Sequence, residues 1–151
     1  MSFRVRRARP GEEAALLPMY EWLFAPPGSM PPAWDEQRAL EALAEALQDE
    51  RSAVFVAEAD GDGALAGLCT AYLELRSVRF GQRCWVEDLA VDPGQRSRGI
   101  GAALLEAASA WAREGGATHL ELDTGEARAE AQRFYERREP AWRSISYAWL
   151  L

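Results

Sequence analysis

The stretch “CWVEDLAVDPGQRSRGIGAALLEAASAWAREGG” (Cys84–Gly116) reads as a strand, a turn and a helix. The strand covers Cys84–Val91 and is stopped by Asp92-Pro93-Gly94. The helix runs from about Gly99 to Glu114, with Leu104, Leu105, Ala108 and Trp111 recurring on one face. Gly115-Gly116 then ends it, as helix C-termini prefer. Between strand and helix lies “RSRGIG” (Arg96–Gly101), a small turn with two arginines and two glycines. A glycine turn at a helix N-terminus exposes backbone N–H groups where the helix dipole favours an anion. Arg96 and Arg98 add charge that suits a phosphate. Two standard phosphate loops fail here. Gly101 is followed by Ala102-Ala103 rather than Lys-Ser/Thr, and Leu104 stands where the dinucleotide fingerprint needs a third glycine. At this point the glycines have two readings: tight strand–helix packing, or close approach of backbone to a ligand.

Composition narrows the class. A length of 151 residues suits one domain, 1–151, with one core. The formal charge of −7 disfavours nucleic acid, whose binding is driven by phosphate neutralisation, and favours small cations. Cys69 and Cys84 form no disulfide framework, so a reducing compartment is expected. The N-terminal “MSFRVRRARPGEE” has no apolar signal region, and no apolar run reaches the roughly 18 residues that span a membrane. The expectation is a cytoplasmic, soluble domain with no membrane or nucleic-acid partner. His119 is the only histidine, so no metal site or Ser-His triad is expected. Asp60 and Asp62 are too few for a calcium loop. Arg4, Arg6, Arg7 and Arg9 read as a solvated edge strand rather than an RNA patch. Cys69 and Cys84 read as buried thiols rather than nucleophiles.

The rest of the chain supplies the frame. “FRVRRA” (Phe3–Ala8) is an edge strand. A helix follows Pro10, with Leu16, Leu17, Tyr20 and Phe24 at helical spacing. “APPGSMPP” (Ala25–Pro32) is a loop, and a second amphipathic helix spans about Ala33–Asp49. “SAVFVAEA” and “ALAGLCTAYLELRS” are strands joined by a hairpin turn at “DGDG” (Asp60–Gly63). “VRFGQR” is a loop before Cys84. “THLELDT” is a strand, “EARAEAQRFYERR” a helix stopped by Pro140, and “RSISYAWLL” a final strand. The order β-α-α-β-β-β-α-β-α-β implies an α/β fold with a mixed sheet.

“VDPGQRSRGIGAALL” has the form Arg96-x-x-Gly99-x-Gly101 before a Leu-rich helix, and “AQRFYERREP” places an Ala ahead of Phe-Tyr. Together these resemble the acyl-CoA pyrophosphate loop and last-helix signature of the GNAT superfamily of N-acetyltransferases. The resemblance runs from Trp85 to Tyr135, and the element order fits the GNAT fold. “WVEDLAV” with “RSRGIG” looks most like the diamine and polyamine acetyltransferase branch. Two departures stand out. The Gly-Phe that usually follows the last helix is absent, with Glu139-Pro140 near that place. The Asn often found seven residues before the Tyr is Arg128.

The resemblance implies acetyl-CoA as cofactor and a small-molecule amine, primary and cationic, as acceptor. Transfer would be direct, in a ternary complex. The amine must lose a proton, the oxyanion must be stabilised, and the leaving thiolate should be protonated. By the same resemblance, two parallel strands splay apart beside the cofactor. Leu89, Ala90 and Val91 then line the pantetheine arm, and Arg96, Ser97, Arg98, Gly99, Ile100, Gly101 and Ala102 hold the pyrophosphate. Tyr135 matches the position whose hydroxyl faces the CoA sulfur. Glu87 sits where many GNATs carry the base, and Asp88 is the alternative. Strand alternation points the two acids to opposite faces, one to the cleft and the other to structure or the surface. Trp22, Phe24, Met30 and Trp34 either wall an acceptor slot or pack the proline loop onto the core. “SVRFGQR” (Ser77–Arg83) would form the opposite wall. Two other readings share the fold: a non-catalytic acyl-CoA-binding module, and a protein or peptide N-acetyltransferase. GNATs are often dimers, and “YAWLL” could pair with a partner.

Overall fold

The computed structural model describes residues 2–151. Five strands form one sheet in the order β1 (Phe3–Arg7), β2 (Ser52–Ala59), β3 (Leu65–Ser77), β4 (Gly81–Val91) and β5 (His119–Glu121). The first three pairings are antiparallel and β4–β5 is parallel, so the sheet is mixed, as the element order implies. Strand alternation feeds two cores, one on each face. Ala53, Phe55 and Ala57 of β2 pack with Leu104, Leu105 and Ala108 of α4 (Ile100–Glu114). Val54 and Val56 face the other way, against Leu43 and Leu47 of α3 (Glu36–Gln48) and Leu16 of α1 (Glu13–Leu16). The Asp35 carboxylate caps α3 by accepting from the Arg38 N–H at 2.8 Å. No helix among the described residues is long and apolar enough to cross a membrane.

A bulge interrupts β4 where the chemistry was expected. Thr70 pairs with Asp88 and Ala71 with Val86, so Glu87 has no partner across β3. One extra residue in a strand reverses the alternation beyond it. Before the bulge, Cys84 and Val86 face α4. After it, Leu89 and Val91 do. Asp88 is thereby turned to the opposite face, toward the first helical segment.

The structure differs from the sequence expectations in three places. The first helix is not continuous: α1 passes into a tight three-residue-per-turn segment at Leu17–Tyr20 and then α2 (Glu21–Phe24). Pro18 lacks an N–H and its ring collides with the carbonyl four residues back, so an α-helix cannot run through it. “VRFGQR” is only partly a loop, since Gly81–Arg83 open β4. The final strand expected at “RSISYAWLL” is not formed. Every residue from Glu136 to Leu151 is exposed, and 143–151 joins no ladder. A strand needs a paired neighbour as well as a suitable pattern, and residues 143–151 pair with none of the five strands.

The arginines of β1 are paired. Arg6 donates to both Glu12 oxygens at 3.0 and 2.8 Å and to Glu58 at 3.2 Å, and Arg4 also binds Glu58. This network ties β1 to β2 and to the start of α1. Its hydrogen bonds from Arg6 hold the Glu12 carboxyl down to about 2, against an ordinary 4.5. A lowered carboxyl contributes stability above its unfolded value, and that contribution fades as pH falls through the folded one. The window is therefore between pH 4.5 and about 2. In urea titrations stepped through this range, Glu12→Gln should flatten the fall in unfolding free energy. An unchanged slope would show that this pair does not carry it.

Candidate active site

Parallel pairing of β4 with β5 stops at Trp85 and Glu121. Beyond that point the two strands diverge, and a cleft of about 760 Å³ opens beside the second half of β4. Leu89, Ala90 and Val91 form one wall. Arg96, Ser97, Gly99, Ile100, Gly101 and Ala102 line it from the glycine turn. Phe134 and Tyr135 come from α5 (Ala129–Glu136), and Trp22, Leu23 and Pro27 from the first helical segment and its loop. Arg98 is exposed and outside the wall.

The turn has the conformation an anion cradle needs. Gly99 caps α4 at φ 81°, and Ser97 also adopts the left-handed region at φ 64°. Only glycine takes that conformation without cost, which accounts for Gly99. No side chain caps α4. Its first-turn N–H groups, at Ile100, Gly101 and Ala102, therefore lack intrahelical partners. Arg96, Arg128, Arg133 and Arg137 also line the cleft, against a single acid, Glu130. In a chain of formal charge −7, this is a concentrated positive site. A ligand carrying negative charge suits this site.

The two acids of β4 separate as expected, though through the bulge rather than through simple alternation. The Asp88 carboxylate accepts from the Tyr20 hydroxyl at 2.7 Å and from the Thr70 hydroxyl at 2.8 Å. Thr70 also accepts from the Asp88 N–H at 3.1 Å. Burial raises the Asp88 carboxyl despite those donors. Asp88 thus anchors the first helical segment to the sheet. Glu87 is exposed and accepts from the Trp85 indole N–H at 2.6 Å, which fixes its direction without burying it. Burial pushes the Tyr135 phenol up to about 12, with Arg128 pulling the other way. Tyr135 is therefore a protonated donor at neutral pH. Burial likewise pushes the thiols of Cys69 and Cys84 up, to about 12 and about 11, which makes them poor nucleophiles.

The proline-loop aromatics are partly brought to the cleft. Trp22 lines it. Phe24 and Trp34 instead meet edge to face at 4.7 Å, with Tyr20 stacked on Trp34 at 6.0 Å. Met30 is exposed. Ser77–Arg83 lies at the closed end of the β4–β5 pair and none of it lines the cleft.

Sequence reasoning missed Arg128 as a contact residue, noting it only as a departure from Asn. Its guanidinium donates to the Leu23 carbonyl at 2.7 Å, latching the start of α5 to the end of α2. Gly28 packs over this latch. A Cβ there would overlap both the Leu23 oxygen and the Arg128 guanidinium. Gly28→Ala should therefore cost about 1–3 kcal/mol by urea unfolding, the usual penalty for overpacking. A neutral substitution would mean that the loop yields freely and the latch is loose.

The comparisons with known proteins agree with this geometry. The sequence profile of the acetyltransferase (GNAT) family matches residues 16–139. N-acetyltransferase YhfO of Bacillus subtilis (strain 168) is 30% identical over 132 residues, covering 87% of this chain and 85% of its own length. Streptothricin acetyltransferase of Streptomyces lavendulae is 39% identical over 90 residues, 60% of this chain and 45% of its own length. The matched region spans about half the length of two of the curated relatives. Among solved structures, AAC(6')-Iy in complex with the bisubstrate analogue CoA-S-monomethyl-acetylneamine superposes with a TM-score of 0.81 at 21% identity, covering 100% of both chains. The mixed α/β sheet, opened beside a positive glycine turn, matches the GNAT fold. The chain belongs to the GNAT family of acetyltransferases.

Proposed function

We propose that this chain is an acetyl-CoA-dependent N-acetyltransferase acting on a small, cationic primary amine in the cytoplasm. The observation that carries this reading is the cleft itself, where unpaired β4 backbone, a positive glycine turn and a protonated Tyr135 share one wall system. Bound acetyl-CoA supplies the acetyl group as an activated thioester. Ile100, Gly101 and Ala102 would hold its pyrophosphate through backbone N–H groups, with Arg96 adding charge. Leu89, Ala90 and Val91 would flank the arm.

Glu87 takes the amine proton. It is the exposed acid of the pair, whereas Asp88 is engaged by Tyr20 and Thr70. Tyr135 would donate a hydrogen bond to the thioester sulfur. A phenol near 12 opposite a thiol of about 8.5 cannot give up its proton fully, so its part is a hydrogen bond that strengthens as the sulfur gains charge. A cationic amine loses two protons on becoming an amide: the first goes to Glu87, and the second, lost from nitrogen after attack, would end on the sulfur as the thiol. The similarity to a streptothricin acetyltransferase and to aminoglycoside acetyltransferases supports a small-molecule amine acceptor. So does the acidic surface of this chain.

Thiol release from acetyl-CoA tests this over a panel of streptothricin, aminoglycosides, polyamines, amino acids and peptides. Acceptor-dependent release with a small cationic amine is expected. Tight CoA binding without turnover on any acceptor would favour a non-catalytic module. Within the active pair, Glu87→Gln should lower kcat/KM about 10²–10⁴-fold. Tyr135→Phe should lower kcat by about ten- to a hundred-fold, the worth of one hydrogen bond to a charged group. Full turnover in either variant would remove that residue from the mechanism.

A further inference from the structure

The helix α5 packs beside the glycine turn. A Cβ at Gly101 would lie 3.6 Å from the Phe134 ring, so the two elements are in contact there. Arg133 precedes that phenylalanine and Arg137 follows it by three positions, and both line the cleft. A spacing of four residues puts two side chains on one helix face, about 6 Å apart along the axis. Arg137 keeps helical backbone angles at the end of α5, φ −64° and ψ −19°, so the spacing holds there. Both arginines are exposed, and neither forms an ion pair with a carboxylate among the described residues. Glu130, the one acid of the cleft, stands three residues before Arg133 and pairs with neither. Like charges four residues apart on a helix repel, and a shared anion offsets that cost. The other two arginines of the cleft are already accounted for. Arg96 belongs to the turn, and Arg128 donates to the Leu23 carbonyl at 2.7 Å.

We propose that Arg133 and Arg137 clamp the ribose 3′-phosphate of CoA, a second anionic group one sugar ring away from the diphosphate. The inference rests on the cofactor reading above and adds to it the recognition of a second phosphate. One diphosphate is matched by the free N–H groups of Ile100, Gly101 and Ala102 together with Arg96. Two further cations facing the same cleft are then in excess, in a chain of formal charge −7. A phosphate monoester carries about −1.5 to −2 at neutral pH and offers three strong acceptor oxygens. The planar fork of a guanidinium matches those oxygens two at a time. The Phe134 contact with the turn keeps the pair on the diphosphate side, so the cofactor is the assigned source of the phosphate rather than a phosphorylated acceptor. The consequence is selectivity for CoA over dephospho-CoA. Both guanidinium groups face solvent, so that selectivity is screened by salt.

Isothermal titration calorimetry with CoA and dephospho-CoA, which differ only in the 3′-phosphate, tests this without reference to turnover. At low salt CoA should bind roughly ten-fold tighter, about what two well-placed exposed ion pairs contribute. The advantage should shrink at high ionic strength. Arg133→Gln with Arg137→Gln should bring CoA down to the affinity of dephospho-CoA and leave dephospho-CoA binding unchanged. Both side chains are exposed, so the variant should fold like the parent, with the urea midpoint as the check. Equal binding of the two ligands by the parent chain would overturn the clamp and leave the cofactor reading intact. Equal loss of both ligands in the variant would also overturn it, by assigning the arginines to the diphosphate. A preference for CoA that survives in the variant would do the same, and would leave the arginines to another anion such as a phosphorylated acceptor. If neither ligand binds the parent chain, the cofactor reading fails and the clamp fails with it.

Discussion

Thr70 pairs with Asp88 and Ala71 with Val86, and the residue left over between them sets the geometry of the site. Without that extra residue, Asp88 would face α4 and Leu89 would face the first helical segment. With it, Asp88 reaches Tyr20 and locks that segment to the sheet, while Leu89 and Val91 turn toward α4. Glu87, freed from the ladder, stays exposed. The same region is where β4 loses β5 as a neighbour, and its backbone groups become available to a ligand. Bulges that re-aim side chains are a general device, and here a single one sets the directions of Asp88, Leu89 and Val91.

Charge is partitioned to match. The chain is acidic overall, yet four arginines border the cleft against one acid. The cleft is therefore a positive site on an acidic protein. The two sides of the cleft are also mechanically joined. Arg128, at the start of the helix that carries Tyr135, holds the Leu23 carbonyl of the segment that carries Tyr20 and Trp22.

The legible parts of the sequence were the local ones. Glycines and arginines in “RSRGIG” specify a positive turn at a helix mouth from six adjacent residues, and the turn appears as read, with Gly99 and Ser97 left-handed. A mixed sheet with helix-bearing faces followed from period and order, though the order called for a sixth strand beyond the five that form. What escaped depends on distant partners. The bulge at Glu87 exists only in the register against β3, and “CWVEDLAV” by itself shows plain alternation. The Arg128 contact joins residues 105 apart through a backbone carbonyl, which leaves no sequence signal beyond the unusual Arg and a nearby Gly28. “RSISYAWLL” carries a strand pattern, but a strand forms only beside a neighbour, and neighbours are not written in the segment itself.

The central claim is that the opening beside β4 and the turn before α4 together form one cofactor-binding surface. Backbone amide chemical shifts followed during a CoA titration test it most directly. The amides of Leu89, Ala90 and Val91 and those of Ile100, Gly101 and Ala102 should move together along one binding curve, while those of β1 stay still. CoA binding that leaves either group of amides unmoved would contradict the account.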